Sequence, residues 1–311
     1  MYRFSCEGIE IAAVQVCLPQ EKSDTQNATF RAPEAQTAAD LAYAAASKLL
    51  VDRDVEKAQI GSVLFFGRTP DYRSPATAII LQHRLEISKN IIAYDSNYGG
   101  CGFIAAITTG SSILKTLQEN YVLLLVADTS SKQDAKSESS DAGTAILLRK
   151  SDSERLEFFG FTASEYSEAE TLEKGGFKNY QTNLIKNDGQ INYRQDLITG
   201  FEEKLLNFLN DNSLNQVEAQ QKQILALHPK FSKDHKLSES TWEITQHDAV
   251  GSTLPLHLSL NKWNESANLC VGTVGEGMSA QFMQFNCNAG TFAPVIYSDQ
   301  VFEDSQISHE I

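Results

Sequence analysis

Hydrophobic and polar positions along this chain follow two periods in turn. Ile9 to Cys17 is apolar and β-branched, which predicts a strand that stops at Leu18-Pro19. Thr37 to Leu50 (TAADLAYAAASKLL) has helical spacing, Ile60 to Phe66 (IGSVLFF) reads as a buried strand, and Ala76 to Leu85 as a short helix. Gly102 to about Leu117 is a further helix, Tyr121 to Ala127 (YVLLLVA) a strongly apolar strand, and Asp141 to Leu148 returns to a strand after the serine-rich surface loop Lys132 to Ser140. Glu154 to Gly189 is polar and shows no clear period. Asn192 to Leu209 then places Leu197, Phe201, Leu205 and Phe208 on one helical face. Gln223 to Leu227 is a short strand, Ala249 to Leu260 runs into a helix, and Leu269 to Val274 is a strand. The turn Gly275-Glu276-Gly277 leads into Met278 to Phe285, the expected last strand. Strands alternating with helices predict an α/β layered fold.

The stretch Asp95-Ser96-Asn97-Tyr98-Gly99-Gly100-Cys101-Gly102-Phe103 follows the apolar run Ile91-Ile92-Ala93 and opens a helix. That puts Cys101 at a helix N-terminus, where unpaired amides and the positive end of the dipole stabilise a thiolate. Three neighbouring glycines suit a tight strand-to-helix turn. A nucleophilic cysteine is one reading, and a buried, inert cysteine in a tight crossing is the other.

Composition narrows the classes of function. The chain has 311 residues, 41% hydrophobic and 21% charged, with a net charge of −14. That length holds one large domain or two fused similar halves. The acidic balance disfavours a nucleic-acid stripe and an anionic membrane surface. Cys6, Cys17, Cys101, Cys270 and Cys287 are odd in number and lack CxxC spacing, so reduced thiols are expected rather than disulfides or a zinc site. With no apolar leader at Met1-Tyr2-Arg3-Phe4-Ser5 and no stretch of transmembrane length, the expectation is a cytoplasmic protein.

His228 follows a strand and precedes a proline, which suits a loop at the carboxyl edge of a sheet. Asp248, in His247-Asp248-Ala249-Val250-Gly251-Ser252-Thr253-Leu254-Pro255-Leu256, is equally well a helix N-cap. His247 and His257 read as surface or core imidazoles. In order, these features resemble the β-ketoacyl-acyl-carrier-protein synthase III type of thiolase-fold ketosynthase, over almost the whole chain to Phe285. Cys101 matches the family cysteine, Asp141-Ala142-Gly143-Thr144-Ala145 the family's strand entry, His228 the catalytic histidine, and Gly275-Glu276-Gly277 the glycine turn. The resemblance implies a thiolase fold of two similar halves in five layers, α-β-α-β-α. The halves would be 1–150 with the nucleophile and 151–286 with His and Asp, followed by a C-terminal extension, 287–311.

The resemblance also implies roles, and the chain departs from two of them. An asparagine normally accompanies the histidine. Here the alignment that keeps Pro255 in register puts Asp248 there, and a competing one puts Ser252 there. An ionised Asp accepts hydrogen bonds only and would repel the enolate formed by decarboxylation. Beside His228 it would instead orient the imidazole and stabilise its protonated form, the arrangement for acyl transfer to a hydroxyl or amine. Backbone amides of Cys101 and Glu276 would form the oxyanion hole. Leu18 to Pro33 is short and lacks the Trp that helps hold coenzyme A in the family, which favours an acyl-carrier-protein donor; Lys115, Lys132 and Lys150 are candidates for a basic patch toward an acidic carrier.

The expectation is therefore an acyltransferase that loads Cys101 from an acyl-carrier-protein or coenzyme A thioester, with no resident cofactor or metal. It would be a homodimer, or a heterodimer with a related ketosynthase-like chain. Two alternatives are a decarboxylative C–C condensing synthase and a non-catalytic subunit of a heteromeric pair; retention of both Cys101 and His228 speaks against the second. Arg68 to Pro75 resembles the family segment that crosses to the dimer partner and lines the acyl pocket.

Overall fold

The computed structural model describes residues 1–21, 29–133, 139–172, 191–211, 222–227, 242–245, 249–261, 266–275 and 278–302. In chain order its elements are β1 (Tyr2–Pro19), α1 (Ala38–Asp52), β2 (Ile60–Phe66), α2 (Thr77–Arg84), β3 (Ile92–Ser96), α3 (Gly102–Leu114), β4 (Tyr121–Asp128), α4 (Ser130–Gln133), β5 (Ala142–Thr162), β6 (Glu170–Leu172), β7 (Ile191–Tyr193), α5 (Gln195–Asn210), β8 (Lys222–Ala226), β9 (Glu243–Thr245), α6 (Thr253–Leu260), β10 (Ala267–Gly275), β11 (Ser279–Cys287) and β12 (Ile296–Ser298). None of the described helices is long and apolar enough to cross a membrane.

Ten strands form a path ordered β3-β2-β4-β5-β11-β10-β8-β9, with β1 beside β5 and β12 beside β1. β5 joins its two ends. Its first part pairs antiparallel with β4, and Glu157 to Thr162 pairs with β11. β1 accompanies it from Tyr2↔Gly160 to Cys17↔Gly143, with register shifts between Glu7 and Ile9 and between Ile11 and Ala13. Gly8, at φ +76°, takes the left-handed conformation that a bulge between those strands requires.

Three apolar clusters separate five layers. On one outer face, Leu41, Ala45 and Leu81 of α1 and α2 pack on Val63, Phe65, Leu123 and Leu125. In the middle, Phe103 and Ile107 of α3 and Leu254 and Leu258 of α6 lie between Leu64, Leu124 and Val126 on one side and Val271 and Met283 on the other. On the far face, Ile198, Phe201 and Leu205 of α5 cover Phe159, Val274 and Phe282. Strands β2 and β4 are covered on both faces, which is why they read as unbroken apolar runs.

The structure corrects the expected elements at several points. β1 begins at Tyr2 rather than Ile9, and β5 continues through Arg149 to Glu154 into the polar stretch that shows no clear period. The halves proposed to meet at residue 150 therefore share one uninterrupted strand. α3 ends at Leu114, and part of the expected Lys132 loop is the one-turn helix α4. The strand after the glycine turn is not the last. Past it, Val14 N–H donates to the Thr291 carbonyl at 2.7 Å, Ala293 N–H donates to Val14 at 2.9 Å, and β12 pairs parallel with Cys17 to Pro19. Phe302 then packs edge-on to Tyr43, 4.5 Å between ring centroids.

Candidate active site

Parallel strands β2, β3 and β4 end at one edge of the sheet, and the turn carrying Cys101 is built there. Gly67 N–H donates to the Ser96 carbonyl at 3.2 Å, Tyr98 N–H to the same carbonyl at 2.9 Å, and Gly102 N–H to Gly99 at 2.6 Å. The Asp95 carboxylate accepts from Thr77 N–H at 2.6 Å and Ala78 N–H at 2.7 Å, fixing the start of α2 to the end of β3. Cys101 is the N-cap of α3, at φ −89° and ψ 11°, and its carbonyl accepts from Ala105 at 3.0 Å.

The sulfur is fully buried, between the ends of β10 and β11. It lies 3.4 Å from the Thr273 carbonyl oxygen, 3.6 Å from that of Ser279, and 3.8 Å from Ser279 Oγ. As a thiol it donates to a carbonyl. The start of α3 favours the thiolate instead. Gly275 comes so close that a Cβ there would stand 2.6 Å from Cys101 N and 2.8 Å from Gly100 C, so only glycine fits. Glu276, the expected second oxyanion donor, is the next residue and lies outside the described residues; the segment that precedes it is against the Cys101 amide.

The second half closes on the same turn. Gly251 sits in a 3-10 turn, Val250–Ser252, where a Cβ would meet Gly99 O at 2.8 Å and Val126 Cγ1 at 2.6 Å. Ser252, the alternative third catalytic position, is buried. Its Oγ accepts from Thr144 Oγ1 at 2.8 Å and donates to the Val126 carbonyl at 3.3 Å. His228 and Asp248 lie outside the described residues, as does His247. The described segments leading to them end nearby: Ala226 on β8 is in parallel register with Thr273, and Ala249 N–H donates to Thr253 Oγ1 at 2.9 Å at the start of α6. His257 is a core imidazole on α6, its Nε2 3.1 Å from Glu243 Oε1 and 2.9 Å from Asn261 Nδ2.

The candidate lysines do not gather at Cys101. Lys115 is the C-cap of α3, at the opposite end of that helix, and Lys150 there donates to the Leu117 and Gln118 carbonyls. Lys132 donates to the Glu34 carbonyl at 2.6 Å and to that of Gln36. In the Arg68 to Pro75 loop, Arg68 and Thr69 N–H groups bind Asp128 Oδ1 at 2.7 and 3.1 Å. Asp141 is a loop clasp, its carboxylate accepting from Ala32 and Ser131; burial raises its pKa, partly offset by these bonds.

Four polar residues near the sulfur carry no signal in the sequence. Tyr98 OH lies 3.2 Å from Ser279 Oγ, and Gln281 Nε2 donates to Tyr98 OH at 3.1 Å. Tyr2 is in the same cross-strand row as Gln281, through Gly160, and burial followed by the charge at Cys101 raises its pKa from 10.0 to about 12. Nothing in the sequence links position 98 with positions some 180 residues away.

No family model matches the chain. A curated β-ketoacyl-acyl-carrier-protein synthase III from Koribacter versatilis is 36% identical over 94 residues, which is 30% of this chain and 28% of that protein. The match thus spans under a third of the relative's length. By structure, the chain superposes on a 3-oxoacyl-(acyl-carrier protein) synthase from Burkholderia xenovorans with a TM-score of 0.82 at 20% identity, covering 96% of this chain and 99% of that one. It also superposes on a cysteine-to-serine variant of Xanthomonas campestris OleA solved with lauric acid and lauroyl-CoA, with a TM-score of 0.71 at 14% identity over 91% of this chain and all of that one. The chain has the thiolase fold of these enzymes and a local sequence kinship with the synthase III proteins.

Proposed function

We propose that this chain is a ketosynthase III-like acyltransferase that carries its acyl group on Cys101. The carrying observation is the placement of Cys101 at the start of α3, buried against the β10–β11 end, where Gly275 presses on its amide. In the first half-reaction the thiolate attacks the carbonyl carbon of an acyl thioester; the new C–S bond forms, the old one breaks, and the donor leaves as a thiol after taking a proton. An acyl-carrier-protein thioester is the preferred donor, since Leu18 to Pro33 lacks the tryptophan of coenzyme A binders. Lauroyl-CoA, held by the OleA variant of the same fold, makes coenzyme A the second donor to test.

In the second half-reaction His228 takes the proton of an acceptor hydroxyl or amine as that group attacks the Cys101 thioester, and Cys101 leaves as a thiolate. Asp248 orients His228 and stabilises its imidazolium. The backbone amides of Cys101 and Glu276 hold the oxyanion. Decarboxylative condensation with a malonyl carrier protein is the alternative second half, supported by the fold shared with 3-oxoacyl synthases.

Intact-protein mass spectrometry after incubation with acyl-carrier-protein and coenzyme A thioesters tests both halves. The protein gains one acyl mass and Cys101→Ala gains none. The adduct then discharges to hydroxyl or amine acceptors and persists with malonyl carrier protein. Discharge by malonyl carrier protein with release of carbon dioxide would replace acyl transfer by condensation. The absence of any adduct would remove both enzymatic readings.

A further inference from the structure

Ser279 and Gln281 are two residues apart on β11, so their side chains share a face. Met283, next in that row, packs in the same cluster as Phe103 of α3, so the row faces the cysteine helix. Tyr98, three residues before the nucleophile, reaches across to both: Gln281 Nε2 is 3.1 Å from Tyr98 OH, Tyr98 OH is 3.2 Å from Ser279 Oγ, and Ser279 Oγ is 3.8 Å from Cys101 Sγ.

The first contact has a fixed direction, and the two that follow can run the same way. An amide nitrogen donates and cannot accept. Gln281 occupies one lone pair of the Tyr98 oxygen, and the phenol keeps a proton that it can give to Ser279, as Ser279 can give its own to the sulfur. Against this stand the Thr273 and Ser279 carbonyl oxygens, which favour a protonated thiol by accepting its hydrogen. Once the proton leaves, those oxygens repel the thiolate. A donor is then needed on the same sulfur.

We propose that Gln281, Tyr98 and Ser279 form a one-way hydrogen-bond relay that ends on Cys101 Sγ and stabilises its thiolate. Ser279 touches the reacting atom; Tyr98 and Gln281 are positioning residues that act through it. The inference rests on the reading of Cys101 as nucleophile and adds to it a source of activation contributed by β11 besides the helix start.

The test is the titration of Cys101 in the full chain, read as ultraviolet thiolate absorbance against the Cys101→Ala variant and as the pH profile of alkylation mapped to the Cys101 peptide. Ser279→Ala raises the midpoint by about one pH unit. Ser279→Thr restores it. Tyr98→Phe raises the midpoint less. Gln281→Glu, nearly the same shape, turns the donor into an acceptor, reverses both hydroxyls and raises the midpoint more than Gln281→Leu does. Combining Gln281→Glu with Tyr98→Phe removes most of that excess, because the phenol transmits it.

An unmoved midpoint in folded Ser279→Ala or, should that variant not fold, in Tyr98→Phe overturns the relay. So does a Gln281→Glu shift that is equally large without the phenol, which would be a through-space charge effect. The outcomes separate from those of the acyl-transfer assay. A protein that takes no acyl group but titrates as expected loses the proposed function and keeps the relay, while one that acylates with an unmoved titration does the reverse.

Discussion

Thr37 and Cys101 both occupy the N-cap of a buried helix, and their side chains do opposite things. Thr37 lies at φ −112° and ψ 172°, an extended conformation that swings its hydroxyl back to accept from Asp40 N–H at 3.3 Å, while the Asp40 carboxylate accepts from Thr37 N–H at 2.8 Å. This is a closed capping box. Cys101, at φ −89° and ψ 11°, makes no capping bond with its side chain and directs its sulfur toward β10 and β11. α1 is held partly by its own end. α3 is held by burial instead, with Phe103, Ile104, Ala106 and Ile107 enclosed in the central layer. Under the proposed role of Cys101, the end that receives the acyl group leaves its cap undone, and packing along the body of the helix makes up the stability.

Substitutions that strike one helix start and spare the other sharpen this contrast. The largest expected effect is at Gly275. An alanine there places a methyl 2.6 Å from Cys101 N, and if Cys101 is the nucleophile as proposed, moving it by about 1 Å lowers the acylation rate roughly a hundredfold. Single-turnover acylation followed by mass spectrometry, with thermal unfolding alongside, checks it; a rate near that of the unmodified chain would break the contrast. Gly143→Ala drives a methyl to within 2.5 Å of Leu41 C in the body of α1. Overpacking of this kind costs about 1–3 kcal/mol in denaturant unfolding, and acylation at low temperature is expected to be unchanged.

The buried thiols away from the site give a pH signature. Burial raises Cys17 and Cys270 from 9.0 to about 12 and Cys287 to about 11. The folded chain holds these protons more tightly than the unfolded one. Their stabilisation is complete below pH 9.0 and is lost as pH rises toward 11 to 12. Denaturant midpoints measured across that window should fall steadily, and Cys17→Ala should flatten the fall. The smallest effect is that of Thr37→Ala, which opens the capping box for about 1 kcal/mol and leaves the Cys101 titration where it was.

The parts of this molecule that were legible in the sequence are those whose neighbours on both faces are apolar. β2 was read to the residue, and β4 and α1 to within two, because burial on both sides or along one stripe writes a period into the chain. Tyr2 to Gly8 of β1 and the middle of β5 escape the pattern for the converse reason. Arg149 and Arg155 are exposed strand residues, held by ion pairs rather than by a pattern of their own: Glu10 across the strands lies 2.7 Å from Arg149 Nε, and Glu157 on the same strand 2.9 Å from Arg155 Nη2. At the site, Cys101 announced itself through local glycines. Ser279 and Gln281 could not, since only folding brings them to Tyr98. The roles proposed for His228, Asp248 and Glu276 follow from sequence resemblance alone.

The strand shared by both halves has a consequence for how this chain can be taken apart. Cutting at residue 150 would leave each fragment with a sheet edge whose natural neighbour is on the other, Tyr2 to Glu7 on one and Arg155 to Gly160 on the other. Such fragments would be templates for each other and for further copies of themselves, so co-expressed pieces should recombine through β1 and β5, while either alone should aggregate.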